Sequence, residues 1–138
     1  MGIYGTTVTE DESVTSSFST GVVHLHNLNA GSPTRVSGQK FVGRLGTLFI
    51  HLSSVSTSPA ATKLTVRVAR DSNGNELVVP DVEAAIVLGI ADTTKSGVAI
   101  DIDVPYVESN NTDSMYVFVK TDAGTATMFE STFTWSDE

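Results

Sequence analysis

The sequence predicts an all-β fold, one antiparallel β-sandwich of jelly-roll type spanning residues 1–138. Three observations predict it. Lys63 to Ala69 and Val98 to Val104 alternate between apolar and polar residues, the two-residue period of a strand with one wet face. Turn residues separate such segments at hairpin spacing. Helical periodicity is nearly absent, and only Val82 to Ile90 offers a short helical alternative. With 138 residues, 40% of them apolar, a single core is expected, and it needs no metal or disulfide to hold it.

The elements follow in order. Thr6 to Thr20 is rich in Ser and Thr and carries Glu10-Asp11-Glu12, too polar to fold as an independent unit. Yet Ile3, Tyr4, Val8, Val14 and Phe18 recur there, more apolar residues than a solubility tail needs. Residues 1–20 are therefore expected to form an extended arm that contacts a partner, ordering against the edge strand of a neighbouring subunit or of a larger assembly. A solvated edge strand and a disordered tail are the alternatives. Val22 to His26 reads as a short strand, and Asn27 to Gly38 as turn. Phe41 to Ser53 is a long strand bent at Gly43 or Gly46, and Ser54 to Thr62 is a polar loop.

Lys63 to Ala69 points Leu64, Val66 and Val68 inward. Asn73-Gly74 then signals a hairpin returning on Leu77-Val78-Val79 and closed by Pro80. Val82 to Ile90 is read as strand or a single turn, because Gly89 and the lack of a polar face weaken a helix. Val98 to Val104 sends Val98, Ile100, Ile102 and Val104 inward and Asp101 and Asp103 outward, with Pro105 ending it. Met115 to Lys120 and Thr125 to Trp135 form the last pair, adding Val117 and Val119 to the core.

Sixteen acidic against eight basic residues give a net charge of −8, and the basic residues form no run. Such a field repels phosphate backbones, so no nucleic-acid partner is expected. The first residues lack the basic and apolar blocks of a signal peptide, and no apolar run approaches membrane-span length, so synthesis in a host cytoplasm and no membrane partner are expected. Cysteine is absent, which excludes thiolate nucleophiles, disulfides and cysteine-ligated metals.

Each candidate for chemistry has a plainer reading. His24 and His26 share a face of one strand, and with His51 on a neighbouring strand three imidazoles could hold zinc. No acidic partner stands at a recognisable spacing, and histidine on a wet strand face is ordinary, so no metal is expected. Asp71 to Asn75 resembles the start of a calcium loop, but that loop needs Gly at its sixth position and Glu at its twelfth. Here Gly74 is fourth and Val82 twelfth, which makes a turn. Asp101 and Asp103 lack the opposing carboxylate that glycoside hydrolysis requires. No Gly-x-Ser-x-Gly elbow or phosphate loop occurs, so neither catalytic residues nor a cofactor are expected. Asn110-Asn111-Thr112 is a sequon of consequence only on secretion by a eukaryote. Tyr4, Tyr106, Tyr116 and Trp135 would suit a sugar platform, although Trp135, ending an alternating strand, reads better as a cap on the core or on a seam between subunits.

Residues 64–135 carry a resemblance. Pro80-Asp81-Val82-Glu83-Ala84, then Leu88 to Gly97, then Ser114 to Thr127 and the closing Phe133-Thr134-Trp135 are similar to the pattern of small phage virion proteins of the capsid decoration, or cement, class. The motifs are strands and turns, so they transfer no catalytic residue. The resemblance implies a jelly-roll structural protein of the virion, a homotrimer bound to the major capsid protein that stabilises the head by association. A non-catalytic module binding carbohydrate or a host surface, as in a fibre, is the alternative from a different class.

Overall fold

The computed structural model describes residues 3–24, 42–89, 94–107 and 115–137. Among them are nine strands and no helix. The strands are β1 (Ile3–Val8), β2 (Glu12–Val14), β3 (Val22–His24), β4 (Val42–Ser53), β5 (Lys63–Ala69), β6 (Val82–Ala85), β7 (Ser96–Val107), β8 (Met115–Thr121) and β9 (Ala126–Asp137). They make two antiparallel sheets. One has the order β1-β9-β4-β7, with β2 continuing beside β9, and the other the order β3-β8-β5-β6.

The pairing is nested. β1 and β2 pair with β9, β3 with β8, β4 with β7, and β5 with β6. That is one long hairpin, closed at β5 and β6, whose successive rungs fall alternately into one sheet and the other. Rolling such a hairpin so that its apolar faces meet produces the jelly roll, and the chain is an antiparallel β-sandwich of that order.

Alternation supplies the core. Leu64, Val66, Val68, Val98, Ile100, Ile102, Val117 and Val119 all lie in it, together with Leu45, Leu48, Ile50, Leu52, Met128, Phe133 and Trp135. Trp135 is fully buried on β9, which settles its choice between core and surface in favour of core. With large side chains filling the space between the sheets, the interior is a packed layer.

Two strands end differently from expectation. The return after Asn73-Gly74 does not run on as a strand through Val79: Leu77 bridges Ala69, with Arg70 N–H donating to Glu76 O (3.0 Å) and Val78 N–H to Val68 O (2.9 Å), and the longer partner of β5 on that side is β6. Asp71 shapes the turn between them, because its carboxylate accepts the backbone N–H groups of Asn75 (2.9 Å) and Glu76 (2.8 Å). Nor does Pro105 end β7, which continues to Val107 with Pro105 opposite Arg44. β7 is an edge strand, where one side of the backbone has no ladder and a missing N–H is tolerated.

The long strand β4 bends at Gly46. Between Leu45 and Leu48 it carries one residue more than β9, and Thr134 fills the gap. Its hydroxyl accepts the N–H of Thr47 (2.9 Å) and donates to the carbonyl of Thr47 (3.1 Å). A Cβ at position 46 would stand 2.8 Å from that hydroxyl oxygen, so glycine is required by close approach.

Candidate functional site

The expected arm is laid along its own chain. β1 pairs with β9 from Ile3↔Ser136 to Val8↔Ser131, and β2 continues from Glu12↔Met128 to Val14↔Ala126. The edge strand expected to receive residues 1–20 is thus supplied by β9 within the chain. The reason is visible in single residues. Val14 is completely buried, Val8 is half-buried against the same core, and the Thr7 and Thr132 hydroxyls meet at 2.9 Å on the outer face. Of the five arm residues, Val14 is therefore closed to a partner, while Ile3 and Tyr4 are placed by their backbones on β1 and their side chains lie outside the description. What β1 offers outward is its backbone edge, since no described strand pairs with its other side.

The fifth residue, Phe18, belongs to a second surface. The segment after β2 runs beside β8 towards β3, tied down where Ser19 N–H donates to Val119 O at 2.9 Å and Thr121 N–H to Thr15 O at 2.8 Å. Phe18 lies between two cations, the Arg67 guanidinium at 4.3 Å and the Lys120 ammonium at 4.6 Å from its ring centre. Beneath them Phe118 is buried although it points out of the sandwich, because Gly21 and Gly74 approach its ring too closely for larger residues to fit without shifting it. Arg67 is held from its far side by Asp81 in a two-point pair, Nε to Oδ1 3.0 Å and an outer nitrogen to Oδ2 2.8 Å. That pairing raises Arg67 and holds the Asp81 carboxyl below its ordinary value.

A third surface is a groove at the end of the five-stranded sheet. A second bulge inserts Phe129 into β9 between the partners of His51 and Leu52. It brings Phe129 and Glu130 beside His51, with ring centres 5.9 Å apart and a 3.8 Å approach of the His51 Nε2 to the carboxylate. Val87, at 71% exposure, Gly97 and Lys95 complete an open groove of about 310 Å³.

The zinc arrangement considered for His24, His26 and His51 does not assemble as one sheet face. His24 is on β3 in one sheet and His51 on β4 in the other, while His26 lies outside the described residues. No group of three metal-ligating side chains occurs among the described residues. Asp101 and Asp103 are separated in role by a kink: Asp103 sits at φ 42° and binds Arg44 Nε at 2.8 Å. The sugar platform loses Trp135 to the core; the Tyr4 and Tyr106 side chains and the Asn110 sequon lie outside the description. Sequence reasoning missed the Phe18 cluster and the Phe129 groove. The apolar recurrence around Phe18 was a signal for the first; for the second, nothing in the sequence marks the bulge.

No protein-family model and no curated protein matches the chain. Among solved structures, the coat protein of tobacco streak virus is similar with a TM-score of 0.43 and 10% identity, covering 98% of this chain and 85% of that one. The infectious bursal virus T=1 particle protein gives 0.45 and 11%, with 99% of this chain and 32% of that one. Latent PorU of Porphyromonas gingivalis gives 0.41 and 11%, with 99% and 13%. At such scores and identities these likenesses define no relationship.

Proposed function

We propose that this chain is a structural protein of a virus particle, in finer detail a capsid decoration subunit of a phage head. The nested strand order carries the reading, because the jelly roll recurs in viral capsid subunits as well as in lectin domains and cupins. The cupin alternative, which needs a ligand cavity inside the roll, is disfavoured by an interior filled with Phe133, Trp135, Leu48 and Ile50. The resemblance over residues 64–135 adds support, since its motifs fall on β6 to β9 and their connections, where they serve as framework.

The mechanism is stabilisation by association: each copy adds contact with the shell and its neighbours, and many copies sum. The major capsid protein is the partner in this reading, the N-terminal segment is the contact with the capsid or with a neighbouring copy, and the resemblance implies three-fold order. Such a chain performs no catalysis and needs no cofactor. The test is co-sedimentation of the purified protein with particles of its virus. Saturable binding supports the proposal, and a protein that stays in the supernatant at all ratios refutes it.

A carbohydrate-binding module is the second reading. The specific observation behind it is the groove, where Phe129 offers a face for stacking and His51 and Glu130 offer polar groups beside it. Binding to a glycan array that is lost in Phe129→Ala would move the balance to this reading.

A further inference from the structure

The geometry points to β1 as a self-association edge, on which a second copy of this chain adds its own β1 antiparallel across a two-fold axis. This deepens the reading of the N-terminal segment as an assembly contact by naming its partner.

Among the described strands the sandwich has four edges, β1 and β7 in one sheet and β3 and β6 in the other. A bare edge is a row of unpaired N–H and C=O groups, and natural proteins blunt it with charges, proline, bulges or shortness. β7 is blunted three ways: it carries Asp101 and Asp103, contains Pro105, and is kinked at Asp103. β6 is four residues long, carries Glu83 and follows Pro80-Asp81. β3 is three residues long among the described residues. Among the described residues β1 has none of these devices. Its six residues, Ile3 to Val8, contain no charge and no proline, and they run against β9 without a register shift.

Charge narrows the occupant. Each copy carries a net charge of −8, so two copies meeting through most surfaces would repel. The β1 edge is uncharged and is followed at once by Glu10-Asp11-Glu12. A parallel partner would set its own acidic triplet beside this one, with like charges opposed. An antiparallel partner carries its triplet to the far end of the contact. Antiparallel pairing of identical strands is self-complementary and closes as a dimer. The path β7-β4-β9-β1 then continues through the partner's β1 as one sheet.

In an antiparallel ladder successive residues direct their backbone groups to opposite sides. Proline at position 6 and proline at position 7 therefore differ: one removes an N–H bonded to β9, the other an N–H on the free edge. The experiment measures the mass of the full chain by light scattering across concentration. The unmodified chain is expected at an even number of copies, the dimer having about twice 14.6 kDa. One of Thr6→Pro and Thr7→Pro is expected to weaken association at least tenfold while keeping its melting temperature, and the other to melt lower. Hydrogen exchange on the unmodified chain reads the same contact without mutation: alternate amides of residues 3–8 gain protection as concentration rises. A monomer or a bare trimer at all concentrations, a dimer that survives both prolines, or exchange in β1 independent of concentration overturns the inference. Failure to bind particles with the dimer intact would instead sink the virion reading and leave this one standing.

Discussion

Deleting residues 2–19 should bring the domain close to unfolding, and the structure gives the size of the effect. The deletion removes β1 and β2, unpairing six and three positions of β9. It removes Val14, fully buried, whose burial is worth about 2 kcal/mol, and Val8, half-buried and worth about 1 kcal/mol. It also turns β9, which carries Met128, Phe133 and Trp135, from an interior strand into an edge. Lost ladder bonds at roughly 0.5 kcal/mol or more each bring the total to about 5 kcal/mol or beyond. A domain of this size holds roughly 7–20 kcal/mol in all. At about 3–5 °C per kcal/mol, the melting temperature should fall by at least about 15 °C. Val14→Ala alone should cost about 2 kcal/mol. The assay is thermal denaturation followed by circular dichroism, on the deletion, the point variant and the intact chain. A deletion that melts within about 5 °C of the intact chain would refute the placement of these strands in the fold.

Two further predictions concern the loop end of the sandwich. Gly124 has φ +68°, and a Cβ built on it would stand 2.5 Å from the Pro59 carbonyl oxygen and against Ser56 Oγ; Gly124→Ala should cost about 2 kcal/mol or more, read as a lower denaturant midpoint with unchanged slope. The Asp122 carboxylate accepts the N–H groups of Thr62 (2.9 Å) and Lys63 (3.0 Å) and the Thr62 hydroxyl, which holds it well below the usual carboxylate range. Its folded value lies below its unfolded one, so its contribution is whole above about pH 4 and fades as pH falls further. Asp71 and Asp81 shift in the same direction. The melting temperature should hold from neutrality to about pH 4.5 and then drop; Asp122→Ala should melt lower at neutral pH and lose less on acidification.

How much of this was legible beforehand depended on the kind of signal. The strand Lys63–Ala69 was readable to the residue because alternation has one solution when one face is buried and the other wet. Val82 to Gly89 forms β6 and an extended stretch for a similar reason: the burial of Val82, Ala84, Ile86 and Leu88 against their exposed neighbours has a period of two. The N-terminal segment reads as an arm because its composition describes its solvent face. Ser and Thr dominate that face, while a few well-spaced apolar residues, Val8 and Val14 above all, reach the core. Composition averages over both. Nor could local pattern reveal the Phe129 groove, since a bulge is defined by a mismatch between two strands distant in sequence.

The central claim is that this chain is built into a virus particle, and the copy number per particle tests it most directly. Particles purified through a density gradient and quantified by mass spectrometry against the major capsid protein should contain this chain in regular proportion to the shell, unchanged by a salt wash that strips loosely held protein. Particles that lack it, with the chain confined to the soluble fraction of infected cells, would contradict the account.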